Sequence, residues 1–181
     1  MQTHKPRVST RNLVLIAVFA ALLCVVSPFA VPIGPVPISL ATLAIYLTAG
    51  VLGTRRATLA VAIYIALGTF GMPVFTGFSG GIQKLVGPTG GYIAGYIPLA
   101  LITGIAAHVK VNRKLEIPVF CALAIGATAI LYTLGTAWFV FQSGNTLAVA
   151  LSACVIPFVP GDLIKIAIAA VLSPTLRRYA R

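Results

Sequence analysis

Two charged side chains stand where charge is expensive. Asp162 and Lys165 lie inside residues 155–172, an apolar run long enough to enter a bilayer, and a charge at membrane depth costs about 2.5–3.5 kcal/mol on insertion scales. Three residues apart on a helix they share a face, so an acceptor-only carboxylate and a three-donor ammonium act side by side. Such a pair can staple a helix to its neighbours, hold a small polar ligand, or do each in turn. The chain's other acid is Glu116, and two carboxylates so placed build no cluster for metal or phosphoryl chemistry. No GxxxxGK[ST] phosphate loop occurs, so energy for active transport is expected from a partner or an ion gradient. His4 and His108 fall in separate polar connectors and offer no metal site.

The elements that must position the pair are membrane spans. At 181 residues, 59% hydrophobic and 8% charged, with mean hydropathy +1.04, the chain falls in the polytopic membrane class. Its net charge of +11 is not clustered as a nucleic-acid footprint requires, so no nucleic-acid partner is expected. Six segments approach the length that crosses the hydrocarbon, at 12–30, 39–52, 57–70, 91–107, 117–141 and 147–172. The first is read as a retained span and not a removed signal, because its apolar run passes Val25 with no small-residue cleavage pattern. Eleven of the thirteen Lys and Arg then fall before span one, between spans two and three, between four and five, and after span six. By the positive-inside rule that side is cytoplasmic and holds both termini, with a segment at 1–11 and a tail at 173–181 flanking one membrane domain over 1–181. Lys84 and Lys165 are the exceptions and point to the external half.

Counting back from Leu172 puts Asp162 about 15 Å from the inner boundary, near the midplane. Pro157, Pro160 and Gly161 precede it, which suggests a segment that breaks near Pro160 and restarts with Asp162 in the first turn of a half-helix. The external connectors at 31–38 and 71–90 are dense in Pro and Gly; irregular backbone at that depth survives when it lines a cavity, so both are expected to fold over a pocket. The string GFSG at 77–80 matches the GxSG serine motif of rhomboid intramembrane proteases, yet a serine nucleophile needs a base in reach. His108 is on the opposite side and Lys84 sits in a loop expected to be exposed. Ala17 and Ala21 form a small-xxx-small stripe on span one, as do Ala124 and Thr128 on span five, suited to close helix contact. Cys24, Cys121 and Cys154 lie in apolar runs without CxxC spacing and read as structural thiols.

Gly80-Gly81, the GPTGGY string at 87–92 and Gly95, taken with PIGPVPI at 32–38 and PGDLIK at 160–165, resemble the BioY family, the biotin-binding S components of energy-coupling-factor (ECF) vitamin transporters. The likeness runs from Asn12 to Leu172 in order. It implies an all-α polytopic membrane protein with six transmembrane helices in the S-component fold, not an enzyme, in a bacterial or archaeal cytoplasmic membrane. Biotin would be its transported ligand, with no cofactor and no metal. The family's binding positions map onto Gly80, Gly81, Gln83, Thr89, Tyr92, Asp162 and Lys165. Ala17 and Ala21 resemble the surface that docks on the transmembrane coupling subunit, which works with two ATP-binding subunits. Biotin's chemistry agrees with these residue types: Asp162 suits the ureido N–H groups, Lys165 suits the carboxylate or the ureido carbonyl, and Phe75, Phe78 and Tyr92 suit the apolar body. Which end of biotin the pair holds stays open. The same fold for another small vitamin, or a serine protease through GFSG, are the alternatives.

Overall fold

The computed structural model describes residues 9–31, 37–109 and 112–179, and among them the chain is mostly helical. Helix α1 spans Thr10–Val26, α2 Ala41–Leu52, α3 Thr54–Thr69, α4 Ile82–Val86, α5 Gly90–Thr103, α6 Arg113–Ser143, α7 Leu147–Cys154 and α8 Phe158–Tyr179; a 3-10 turn at Gly104–Ala107 ends α5. Among the described residues three helical segments are long and apolar enough to cross a membrane, at Gly90–Ala107, Leu115–Ser143 and Phe158–Tyr179, with shorter apolar helices at Thr10–Val26 and Ala41–Leu52.

Helix α2 is the centre. Ten of its twelve residues are buried, and it packs against α1, α3, α5 and α8. Its composition permits this, because small residues let neighbouring backbones approach where lipid supplies no hydrophobic drive. A Cβ on Gly50 would fall 2.2 Å from Ser173 Oγ of α8 and 2.9 Å from the Phe120 ring of α6. Gly91 and Gly95, one turn apart on α5, do the same for α6: a Cβ would meet Trp138 at 2.3 Å and Leu131 at 2.6 Å respectively. The outer helix faces stay apolar, with Leu13, Val14, Val18 and Val25 of α1 and Ile164, Ile168 and Val171 of α8 all exposed. A surface of this kind suits lipid and not water.

Several boundaries differ from the sequence expectation. The turn expected at 53–56 contracts to Gly53 alone, whose φ of +75° reverses the chain, so Arg55 and Arg56 lie in the first turn of α3. The connector at 31–38 begins and ends in a two-stranded antiparallel ladder, Ala30–Val31 with Ile38–Ser39; its interior, 32–36, lies outside the described residues, as do Lys5, Arg7, Lys110 and Arg181. The connector at 71–90 is not all loop, since α4 lies within it. The break expected near Pro160 falls at residues 155–157 instead. Pro157 has no N–H to continue α7 and disfavours helical geometry at Ile156, whereas Pro160 sits in the first turn of α8, where a missing donor is harmless. Asp162 is consequently the fifth residue of α8 and lies beyond its first turn. Helix α8 continues through the expected tail to Tyr179. Cys154 is fully buried, Cys24 and Cys121 only half-buried, and all three are free thiols.

Candidate functional site

Asp162 and Lys165 are 4% and 8% exposed, low enough that each needs protein partners. They find them in one network. Lys165 Nζ donates to Asp162 Oδ1 at 3.0 Å, to the Ser39 carbonyl at 2.7 Å and to Thr42 Oγ1 at 3.1 Å. Its three protons therefore have three acceptors. Thr42 passes its own hydroxyl proton to Asp162 Oδ1 at 2.9 Å, and Tyr132 Oη donates to Asp162 Oδ2 at 2.7 Å. Three of the four acceptor directions of the carboxylate are filled, and one on Oδ2 is left. The helices explain the convergence: Ser39 and Thr42 flank the start of α2, Tyr132 is midway along α6, and the pair belongs to the second turn and beyond of α8.

Beside this network lies a cavity of about 460 Å³, within the range of small-molecule sites. The connector ahead of α5 forms one wall with Phe75, Thr76, Ser79, Gly80, Gln83, Lys84 and Thr89, and the helices supply Tyr92, Tyr96, Leu131, Tyr132 and Phe158. Asp162 and Lys165 stand at its buried end, whereas Gln83 and Lys84 on α4 are exposed. The wall is fixed by backbone. Gly80 packs against the Met72 carbonyl, 2.2 Å from where a Cβ would be, and the Gly81 N–H donates to the Gly68 carbonyl at 2.7 Å. Phe75 and Ser79 exchange backbone hydrogen bonds, and Phe75 stacks edge-on with Tyr64. The indole N–H of Trp138 holds the Gly87 carbonyl at 2.9 Å, tying the loop to α6.

Of the residues expected to bind, Gly80, Gln83, Thr89, Tyr92, Asp162 and Lys165 all line the cavity. Gly81 is not among the lining residues; with φ of +95° it caps the start of α4 and so aims Gln83 and Lys84. Phe78 is also absent from the wall and packs instead on Phe29. Tyr92 Oη is shared between Thr136 Oγ1 and the Cys154 carbonyl, both at 3.3 Å, which holds its ring in place. Thr42, Ser39, Tyr96 and Tyr132 were missed, because a Thr or Tyr in an apolar helix carries no charge penalty to mark it. Ser79 of GFSG donates its hydroxyl proton to the Thr76 carbonyl at 2.8 Å, the role of a turn-closing serine. Among the described residues no group of three or more His, Cys, Asp or Glu could hold a metal ion. Ala17 and Ala21 are exposed on the outer face of α1, away from the cavity.

The BioY family model matches residues 1–181. Among curated proteins, the chain is 39% identical over 168 residues to the biotin transporter BioY of Thermotoga maritima, covering 93% of this chain and 96% of that one. It is 38% identical over 183 residues to the biotin transporter BioY of Rhodobacter capsulatus, covering 93% and 94%. Among solved structures it is similar to an S component for biotin from an ECF-type ABC transporter, with a TM-score of 0.81 and 28% identity over 98% of this chain and 95% of that one.

Proposed function

The chain belongs to the BioY family, and on that premise we propose that it captures biotin from outside the cytoplasmic membrane as the S component of an ECF transporter. The observation that carries the reading is a buried, charge-neutral Asp162–Lys165 pair at the closed end of a cavity sized for a small molecule. A neutral pair suits a neutral polar group. The ureido ring of biotin can donate an N–H to the open direction on Asp162 Oδ2 and offer its carbonyl to the ammonium. The biotin carboxylate, placed at that end, would add an unbalanced charge where desolvation is costly. Lys84, the remaining cation among the described lining residues, lies at the exposed end and suits the carboxylate. The aromatic walls, Phe75, Tyr92 and Phe158, suit the thiophane ring and the alkyl chain.

In this reading six membrane passes put both termini on the cytoplasmic side, α7 and α8 together forming the sixth. Exposed Ala17 and Ala21 meet the transmembrane coupling subunit, whose two ATP-binding subunits supply the energy that this chain cannot. Calorimetric titration of the purified protein, stripped of endogenous ligand, tests the proposal. Saturable binding of biotin with no response to thiamine or riboflavin is the expected result, and absence of biotin binding would overturn it.

A further inference from the structure

A second cavity, of about 260 Å³, opens at the other end of the molecule. Its lining includes Arg11 of α1, Leu52 of α2, Arg56 of α3, His108 after the 3-10 turn and Arg177 of α8. Thr42 and Leu52 are ten residues apart on α2, so this cavity lies about 15 Å along that helix from the Asp162–Lys165 network. Three guanidinium groups line it, and no carboxylate is among its described lining residues. Glu116 accepts from Arg177 Nη1 at 3.1 Å and cancels one of the three charges, leaving a net excess of positive charge.

The side chains are positioned, not merely nearby. Arg56 Nε donates to the Leu52 carbonyl at 2.9 Å and its Nη1 to Asn12 Oδ1 at 3.1 Å; a guanidinium has five N–H groups, so three remain. Arg177 Nε is held by the Gly50 carbonyl at 2.9 Å. The His108 ring lies against Gly53, where a Cβ would come within 2.5 Å of Nε2. Arg11 has no acceptor among the described residues. A fixed arginine fork in a basic recess matches the geometry of a phosphate oxyanion, and basic pockets between membrane helices suit anionic lipid headgroups. The surface beside the recess favours a lipid as the source. Leu13, Leu59 and Leu176, neighbours in sequence or one helical turn from lining residues, are 55%, 54% and 40% exposed and give acyl chains an apolar track.

We propose that this recess binds the phosphate of an anionic phospholipid headgroup. The test is native mass spectrometry of the full chain in neutral detergent, titrated separately with phosphatidylglycerol, phosphatidylcholine and inorganic phosphate. Phosphatidylglycerol should be retained at about tenfold lower concentration than phosphatidylcholine, and Arg56→Gln and Arg11→Gln should each remove that preference with biotin affinity unchanged. Arg11→Gln keeps the test decisive if Arg56→Gln disturbs the α1–α3 contact. Undiminished preference in Arg11→Gln overturns the proposal. Competition by inorganic phosphate at equal concentration assigns the recess to a free oxyanion and overturns the lipid source. Loss of coupling-subunit association in Arg11→Gln with lipid retention intact gives the recess to a protein carboxylate and likewise overturns it.

Discussion

At the scale of single residues, the candidate site turns on a buried ion pair held by Ser39, Thr42 and Tyr132. Removing one partner strands the other's charge, so substitutions here act on stability as well as on ligand. Asp162→Asn and Lys165→Ala should each weaken biotin binding at least tenfold, or about 1.4 kcal/mol. Tyr132→Phe separates the two effects, since it deletes one bond to Asp162 Oδ2 and strands no charge; a modest loss of affinity with near-normal thermal unfolding is expected. The two ends of the ligand are distinguished by charge. Biotin methyl ester should bind the unaltered protein more weakly than biotin does, and Lys84→Gln should erase that difference while Lys165→Ala leaves it. Titration calorimetry reads the unaltered protein and all four variants. Asp162 and Lys165 were legible in sequence because each breaks an apolar run. Thr42 and Tyr132 were not, since their partners are 120 and 30 residues away and only folding brings them together.

At the scale of elements, the cavity depends on how closely α5 and α6 approach. Gly91 stands against Trp138 Cβ and the Leu134 carbonyl at 2.3 and 2.8 Å from where a Cβ would lie, and neither neighbour is the free end of a flexible chain. Gly91→Ala should therefore force the helices apart and lower stability by about 1–3 kcal/mol. Gly126, within α6, has nothing within 4 Å of its Cβ position and is exposed. Gly126→Ala should be neutral or stabilising by up to about 1 kcal/mol, through helix propensity alone. Thermal unfolding in detergent compares the two, and equal behaviour would remove the argument from close packing. The three long apolar helices were readable from hydropathy. Their ends were less so: a proline's effect depends on whether it falls in a first turn, as Pro160 does, or past the last, as Pro157 does, and that follows from where neighbouring helices let the chain turn.

For the whole molecule, the proposed function assigns ligand and partner to different surfaces. Ala17 and Ala21 sit on an outer face with Leu13, Val14 and Val18, and none of these lines the cavity beside Asp162 and Lys165. Ala17→Trp or Ala21→Trp should leave biotin affinity unchanged and abolish uptake in cells that carry the coupling and ATP-binding subunits. Radiolabelled biotin uptake beside equilibrium binding checks this, and unimpaired uptake would move the docking surface elsewhere. Helix α2 joins the two ends, with the Asp162–Lys165 network at its start and the basic recess at its close.

The sequence by itself determined the membrane class, the long apolar helices, the family resemblance and the two costly charges, because hydropathy, glycine–proline motifs and charge in an apolar run are local properties. Tertiary structure alone decided that Lys165 has all three protons satisfied, that Gly81 aims α4 and does not line the wall, and that one acceptor direction on Asp162 Oδ2 is left open. It also decided that Arg11, Arg56, His108 and Arg177 meet in one recess. Each of these is a coincidence in space of groups tens of residues apart, fixed by the close approach of helices around α2.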